Sequence, residues 1–145
     1  MIVKMDTPVS DRKRILVIDD RPSDSQLVKL ALERTNHYVV REENNPQAAV
    51  STAELFRPHL ILLDVIMPGL DGGQLTAAFH ANPALKDIPI VFLTSTATKQ
   101  EVDAGRGFVG GFPFVAKPIV LTELIASLEH HLGKPDALPG IAQAG

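Results

Sequence analysis

Five short apolar runs punctuate the chain: ILVID ending at Asp19, HYVVR around residue 39, LILLD ending at Asp64, IVFLT ending at Thr94 and FVAK ending at Lys117. They lack the polar alternation of a half-exposed strand, which is the pattern of strands buried on both faces of a parallel sheet. Helical spacing fills the gaps. From Ser23 to Arg34 the apolar positions Leu27, Leu30 and Ala31 recur at three and four, behind a start signal of Pro22 with Ser23. Pro46 to Phe56 repeats the spacing through Ala49, Ala53 and Phe56. Gly73 to Ala81 repeats it through Leu75, Ala78 and Phe79, and Asn82-Pro83 ends that helix. The last helix is the plainest, because Leu121, Leu124, Ile125, Leu128 and Leu132 form one stripe that stops at Gly133-Lys134-Pro135. Val120-Leu121 offers it no Ser or Thr cap.

Five strands alternating with about five helices predict a right-handed parallel α/β sheet rather than segregated α and β layers. One stretch breaks the regularity. Between Lys99 and Phe114, where a fourth helix is due, the chain has Gly105, Gly107, Gly110, Gly111 and Pro113. Each interior glycine costs a helix roughly 1 kcal/mol relative to alanine, so any helix there is expected to be short or frayed. Residues 1–13 are polar without a period and read as a flexible arm. Residues 14–133 make one domain, and 134–145 read as a flexible tail or linker stub.

Composition then excludes several functions. A chain of 145 residues with 45% hydrophobic content supports a single well-filled core. A net charge of −3 with 14 scattered basic residues gives no electrostatic reason to expect nucleic acid contact. The absence of cysteine removes disulfides and thiolate metal sites. No apolar stretch approaches the roughly 20 residues of a membrane span, and MIVKMDTPVSDRKR lacks a signal-peptide core. A soluble, cytoplasmic protein is expected.

The chemistry lies at the run ends. In an open parallel sheet, groups far apart in sequence converge in the crevice beyond the carboxyl ends of the strands. Asp19, Asp20 and Asp64 would meet there and repel one another, a conflict that a hard divalent cation resolves. Mg²⁺ suits oxygen-only donors and typically keeps waters and phosphate oxygens beside one or two carboxylates. Lys117 would add a point charge and Thr94 a hydroxyl donor, together able to stabilise a phosphoryl group in transfer. Aspartate is a covalent phosphoryl acceptor in known chemistry, and Asp64 alone of the three has no adjacent acid. Taken singly, each feature has a plainer reading: Asp19-Asp20 as a turn, Thr94 as a strand terminator, Lys117 as a solvated charge and Asp71 as a helix starter. The five histidines show no metal-ligand spacing.

Together, Asp19-Asp20, DVIMPGLDG with Asp64, Thr94 followed by Ser95, and Lys117-Pro118 make residues 14 to 133 resemble a receiver domain of the two-component response regulators, similar to the chemotaxis receiver. The resemblance implies a flavodoxin-like, doubly wound five-stranded sheet of order 2-1-3-4-5. It implies phosphoryl transfer from a phosphohistidine of a sensor histidine kinase or histidine phosphotransfer protein to Asp64, in the presence of Mg²⁺. The ion would be held by Asp20, Asp64 and the main-chain carbonyl of Ile66, with Asp19 acting through water. Thr94 and Phe114 would form the switch, Phe114 by packing alone, and Lys117-Pro118 would be cis. Such a chain is a phosphoacceptor that catalyses its own phosphorylation and dephosphorylation, not an enzyme acting on others. Output would pass by protein contact through the fourth helix, fifth strand and fifth helix, to a downstream protein, a fused output domain or a second copy in a homodimer. No contact of this domain with nucleic acid or membrane is implied. Two other functions stay open from the residues: an aspartyl-phosphate phosphohydrolase, and a phosphorylation-independent adapter with this fold.

Overall fold

The computed structural model describes residues 11–64, 66–67, 70–94, 108–109 and 112–134. Five parallel strands, β1 (Lys13–Ile18), β2 (Tyr38–Glu43), β3 (Leu60–Asp64), β4 (Ile90–Thr94) and β5 (Phe112–Ala116), lie in the order β2-β1-β3-β4-β5. That is the predicted order. Phe108–Val109 adds a short antiparallel strand along β5, at one border of the sheet. Among the described residues the helices are α1 (Pro22–Glu33), α2 (Ala49–Phe56, entered through a 3₁₀ turn at Pro46–Ala48), α3 (Gly72–Ala81) and α4 (Leu121–Leu132). The helix expected within 99–112 falls largely outside the described residues, as do most of the predicted arm and tail. β1 opens at Lys13, one residue inside the stretch read as an arm.

Both faces of the sheet are covered, which is why its strands are continuous apolar runs. Ile15, Val17, Leu60, Leu62, Val91, Leu93 and Val115 pack toward α1 and α4, where they meet Val28, Leu32, Leu124 and Leu128. Leu16, Ile18, Ile61, Leu63, Ile90 and Phe92 pack toward α2 and α3, against Ala49, Ala53, Leu75 and Phe79. Alternation along one strand therefore divides it between two cores.

Three helix faces differ from the predicted ones. On α1 the buried positions are Ser25, Val28 and Leu32, while Leu27 and Leu30 stand 57% and 55% exposed and Ala31 is half-buried. The sequence around LVKLAL offers two stripes of equal spacing, and the one that wins brings small Ser25 against the Glu42 carboxylate, to which its hydroxyl donates at 2.7 Å. On α3, Thr76 is buried in place of Ala78, which is exposed. On α4 the stripe holds from Leu124 onward, but Leu121, in the uncapped first turn, is 40% exposed. α1 begins at Pro22 behind Arg21, which makes no side-chain cap bond, so Ser23 is not a cap.

β2 extends to Glu43, beyond the predicted run, paired with β1 as far as Ile18, and both added glutamates have side-chain partners: Glu42 takes the Ser25 hydroxyl and Glu43 takes that of Thr52. On the outer edge of β2 the Val40 amide donates to the Glu33 carboxylate at 3.0 Å.

Candidate phosphoryl-acceptor site

The register of the sheet aligns the run ends in one row. Ile18 is opposite Leu63, so Asp19 emerges beside Asp64; Asp64 is opposite Leu93, so Thr94 lies one step on; Thr94 is opposite Ala116, so Lys117 follows. Asp19, Asp20 and Asp64 each bring a carboxylate oxygen within 4.8 Å of the others, with Asp19 and Asp64 buried and Asp20 half-buried. An all-oxygen donor set of this kind, without histidine or thiolate, fits a hard cation such as Mg²⁺.

Lys117 reaches across this row. Its Nζ donates to Asp19 Oδ2 at 2.7 Å, to Asp24 Oδ2 at 3.2 Å and to Asp64 Oδ2 at 3.5 Å. Burial alone would push the ammonium down, but the hydrogen bond to Asp19, the charges of Asp64 and Asp19 and the hydrogen bond to Asp24 outweigh it and hold Lys117 above the ordinary lysine value. The Lys117-Pro118 bond is cis, as predicted.

Asp19 is fully enclosed, at 0% exposure, and every polar part of it is used. Its amide donates to Glu43 O at 3.2 Å, its Oδ1 accepts the Arg21 amide at 3.0 Å, its Oδ2 accepts Lys117, and its carbonyl accepts Asn44 Nδ2 at 2.7 Å. The second Asn44 amide hydrogen goes to Ser25 Oγ at 2.8 Å. Asn44 thus ties the end of β1 to α1 and to the loop after β2.

Of the predicted residues, Asp19, Asp20, Asp64 and Lys117 come together directly. Thr94 closes β4 within the same row. Ile66 lies two residues past Asp64, in a short antiparallel pair where it faces Asp71 across Met67–Leu70. Phe114 is half-buried, opposite Phe92 on β4, and packs on the α2–α3 core.

Sequence reasoning missed Asp24 and Asn44. An acidic residue in the first turn of a helix that leaves the end of β1 was the available signal for Asp24. Asn44 reads in sequence only as part of a polar turn before Pro46.

Comparisons with known proteins establish the family and the fold. The response regulator receiver domain model matches residues 15–129. The dual master transcriptional regulator RpaA of Synechocystis sp., which binds DNA, is 30% identical over 90% of this chain and 53% of its own. Protein PilH of Pseudomonas aeruginosa is 32% identical over 73% of this chain and 86% of its own. The chain spans about half the length of RpaA and of other transcriptional regulators that it matches, such as PhoB of Pseudomonas aeruginosa. Among solved structures, the chemotaxis protein CheY4 of Vibrio cholerae superimposes with a TM-score of 0.68 at 29% identity, over 83% of this chain and 99% of that one. The receiver domain of a Pseudomonas aeruginosa sensor histidine kinase, solved with magnesium coordinated in its active-site cleft, gives 0.70 at 27% identity, over 85% and 99%. The chain belongs to the response regulator receiver domain family.

Proposed function

We propose that this chain is a phosphorylation-dependent signalling switch in which Asp64 accepts a phosphoryl group from a phosphohistidine of a sensor histidine kinase or a histidine phosphotransfer protein. The observation that carries the reading is the ammonium of Lys117 donating to both Asp19 and Asp64, beside a set of three clustered carboxylates. Asp20, Asp64 and the Ile66 carbonyl would hold Mg²⁺, with Asp19 reaching it through water. When bound, the ion offsets negative charge on the phosphoryl oxygens.

The chain's own part is positional. Asp64 presents a carboxylate oxygen as nucleophile at the end of a strand of buried leucines, and Lys117 supplies a fixed positive charge beside it. The Thr94 hydroxyl would hydrogen-bond the transferred group, and Phe114 would respond by repacking. The protein would promote its own phosphorylation and dephosphorylation in the cytoplasm. Output would leave through the segment before β5, β5 itself and α4, to a protein partner, a fused output domain or a second copy. DNA contact, where it occurs in relatives such as RpaA, would belong to a separate domain of the whole protein.

Incubation with acetyl phosphate and Mg²⁺, followed by intact mass measurement, tests this. A gain of one phosphate in the native chain, absent in Asp64→Asn, is the expected result. Equal labelling of Asp64→Asn would overturn the acceptor assignment, and steady turnover of a free phosphoester would point instead to a phosphohydrolase.

A further inference from the structure

Lys117 has three N–H donors on a flexible four-carbon stem. All three go to carboxylates: Asp19, Asp24 and Asp64. Asp19 and Asp64 belong to the cluster that fits a cation. Asp24 does not, since its oxygens lie outside that group. It stands in the first turn of α1 at the rim of the crevice, its side chain 37% exposed. Two things hold it there. Pro22 opens the helix and the Asp24 amide donates to Arg21 O at 3.0 Å, fixing the backbone, while a carboxylate in a first turn is favoured by the helix dipole. The ammonium is therefore gripped from the floor by Asp19 and from the rim by Asp24, and its longest contact, 3.5 Å, is the one toward Asp64.

We propose that Asp24 is a positioning residue for phosphoryl transfer: with Asp19 it fixes the Lys117 ammonium so that the third N–H faces the acceptor oxygen. The inference rests on the reading of Asp64 as acceptor. In the step served, an Asp64 carboxylate oxygen bonds to phosphorus while the donor's bond to phosphorus breaks. With acetyl phosphate, acetate leaves with the electron pair. With a phosphohistidine, the imidazole nitrogen keeps the pair and takes a proton from solvent. An ammonium already aimed at the reacting oxygen loses little freedom as charge spreads over the phosphoryl group.

Removing the Asp24 charge has two effects of opposite sign. Loss of the anchor loosens Lys117 and lowers the rate at saturating donor. Loss of a negative charge at the rim eases the approach of a dianionic donor, but weakly, because an exposed charge is screened. The two effects separate in the dependence of rate on donor concentration.

The experiment compares the native chain with Asp24→Asn, Asp24→Glu and Asp64→Asn, using acetyl phosphate with Mg²⁺ over a range of donor concentrations and intact mass as the readout. Asp24→Asn is expected to lower the saturating rate about fivefold, with an unchanged or smaller half-saturating concentration, and Asp24→Glu to recover at least half of the native rate. NMR relaxation of the Lys117 side chain, without donor, should show greater mobility in Asp24→Asn. A saturating rate within twofold of native, no recovery by Asp24→Glu, or unchanged Lys117 mobility would each overturn the role of Asp24. If the native chain itself takes no phosphate on Asp64, the acceptor reading falls and the positioning role falls with it. If it takes phosphate and Asp24→Asn does so equally fast, only the role of Asp24 falls.

Discussion

Lys117 Nζ lies 2.7 Å from Asp19 and 3.5 Å from Asp64, so its tighter partner is the fully enclosed carboxylate, not the proposed acceptor. Because the folded-state value of Lys117 is raised above that of the unfolded chain, its stabilising contribution is complete at neutral pH and fades only in strong alkali. Lys117→Met would leave Asp19 buried with only the Arg21 amide on its side chain, at a cost of about 3–5 kcal/mol. Asp64→Asn removes a repelling charge and should stabilise the protein by about 1 kcal/mol without metal. Urea unfolding in a chelator checks both. Shifts of the same sign would contradict this account of the site as a repulsive cluster held by one cation.

Asn44 is the second structural prediction. Its amide donates to both Asp19 O and Ser25 Oγ, so Asn44→Ala leaves two buried acceptors short of a partner and should cost about 1–2 kcal/mol. It should also weaken Mg²⁺ binding by about threefold, a loss of under 1 kcal/mol in the fixing of the Asp19-Asp20 turn. Calorimetric titration with Mg²⁺ alongside unfolding separates the effects; full Mg²⁺ affinity in the variant would show that Asn44 serves stability alone.

Acid sensitivity follows from two histidines. Burial, then the charges of Arg14 and Lys13, holds His59 below the ordinary histidine value, and burial, then His130, does the same to His131. His59 Nδ1 accepts the Arg14 amide at 2.9 Å, which a proton on that nitrogen would abolish. With folded-state values depressed, the unfolded chain takes up protons first. The stabilisation is complete above roughly pH 6.5 and is lost as pH falls from there through the folded-state values. The urea midpoint should therefore drop on acidification before the carboxylates titrate, and His59→Asn, which can still accept the Arg14 amide, should flatten part of that slope. An unchanged slope would exclude His59 as its source.

Arg57 ends α2 at φ 52°, in the left-handed region where a side chain is strained. Arg57→Gly is expected to raise stability by about 0.5 kcal/mol, the relief of strain exceeding the added freedom of the unfolded chain. A fall in thermal midpoint would mean that the Arg57 side chain contributes more than its exposed position suggests.

What the sequence revealed and concealed follows from how many readings each residue allows. A strand buried on both faces is an unbroken apolar run, so its end is sharp, and the polar residue found there has few roles; Asp64 and Lys117 were legible for that reason. A one-sided helix is less explicit. LVKLAL accommodates two stripes, and the one that packs into the core contains Val28 and Leu32 and sets Ser25 against Glu42. Asp24 and Asn44 stayed hidden because a first-turn acid and a turn asparagine are commonplace, and their meaning arises from a lysine 93 residues away and a strand end 25 residues away.

The Glu33 carboxylate that takes the Val40 amide has a consequence for how copies of this protein meet. Among the described residues β2 lies at one border of the sheet, and the Glu33 carboxylate takes up one of the amides there that a strand of another chain would need for pairing.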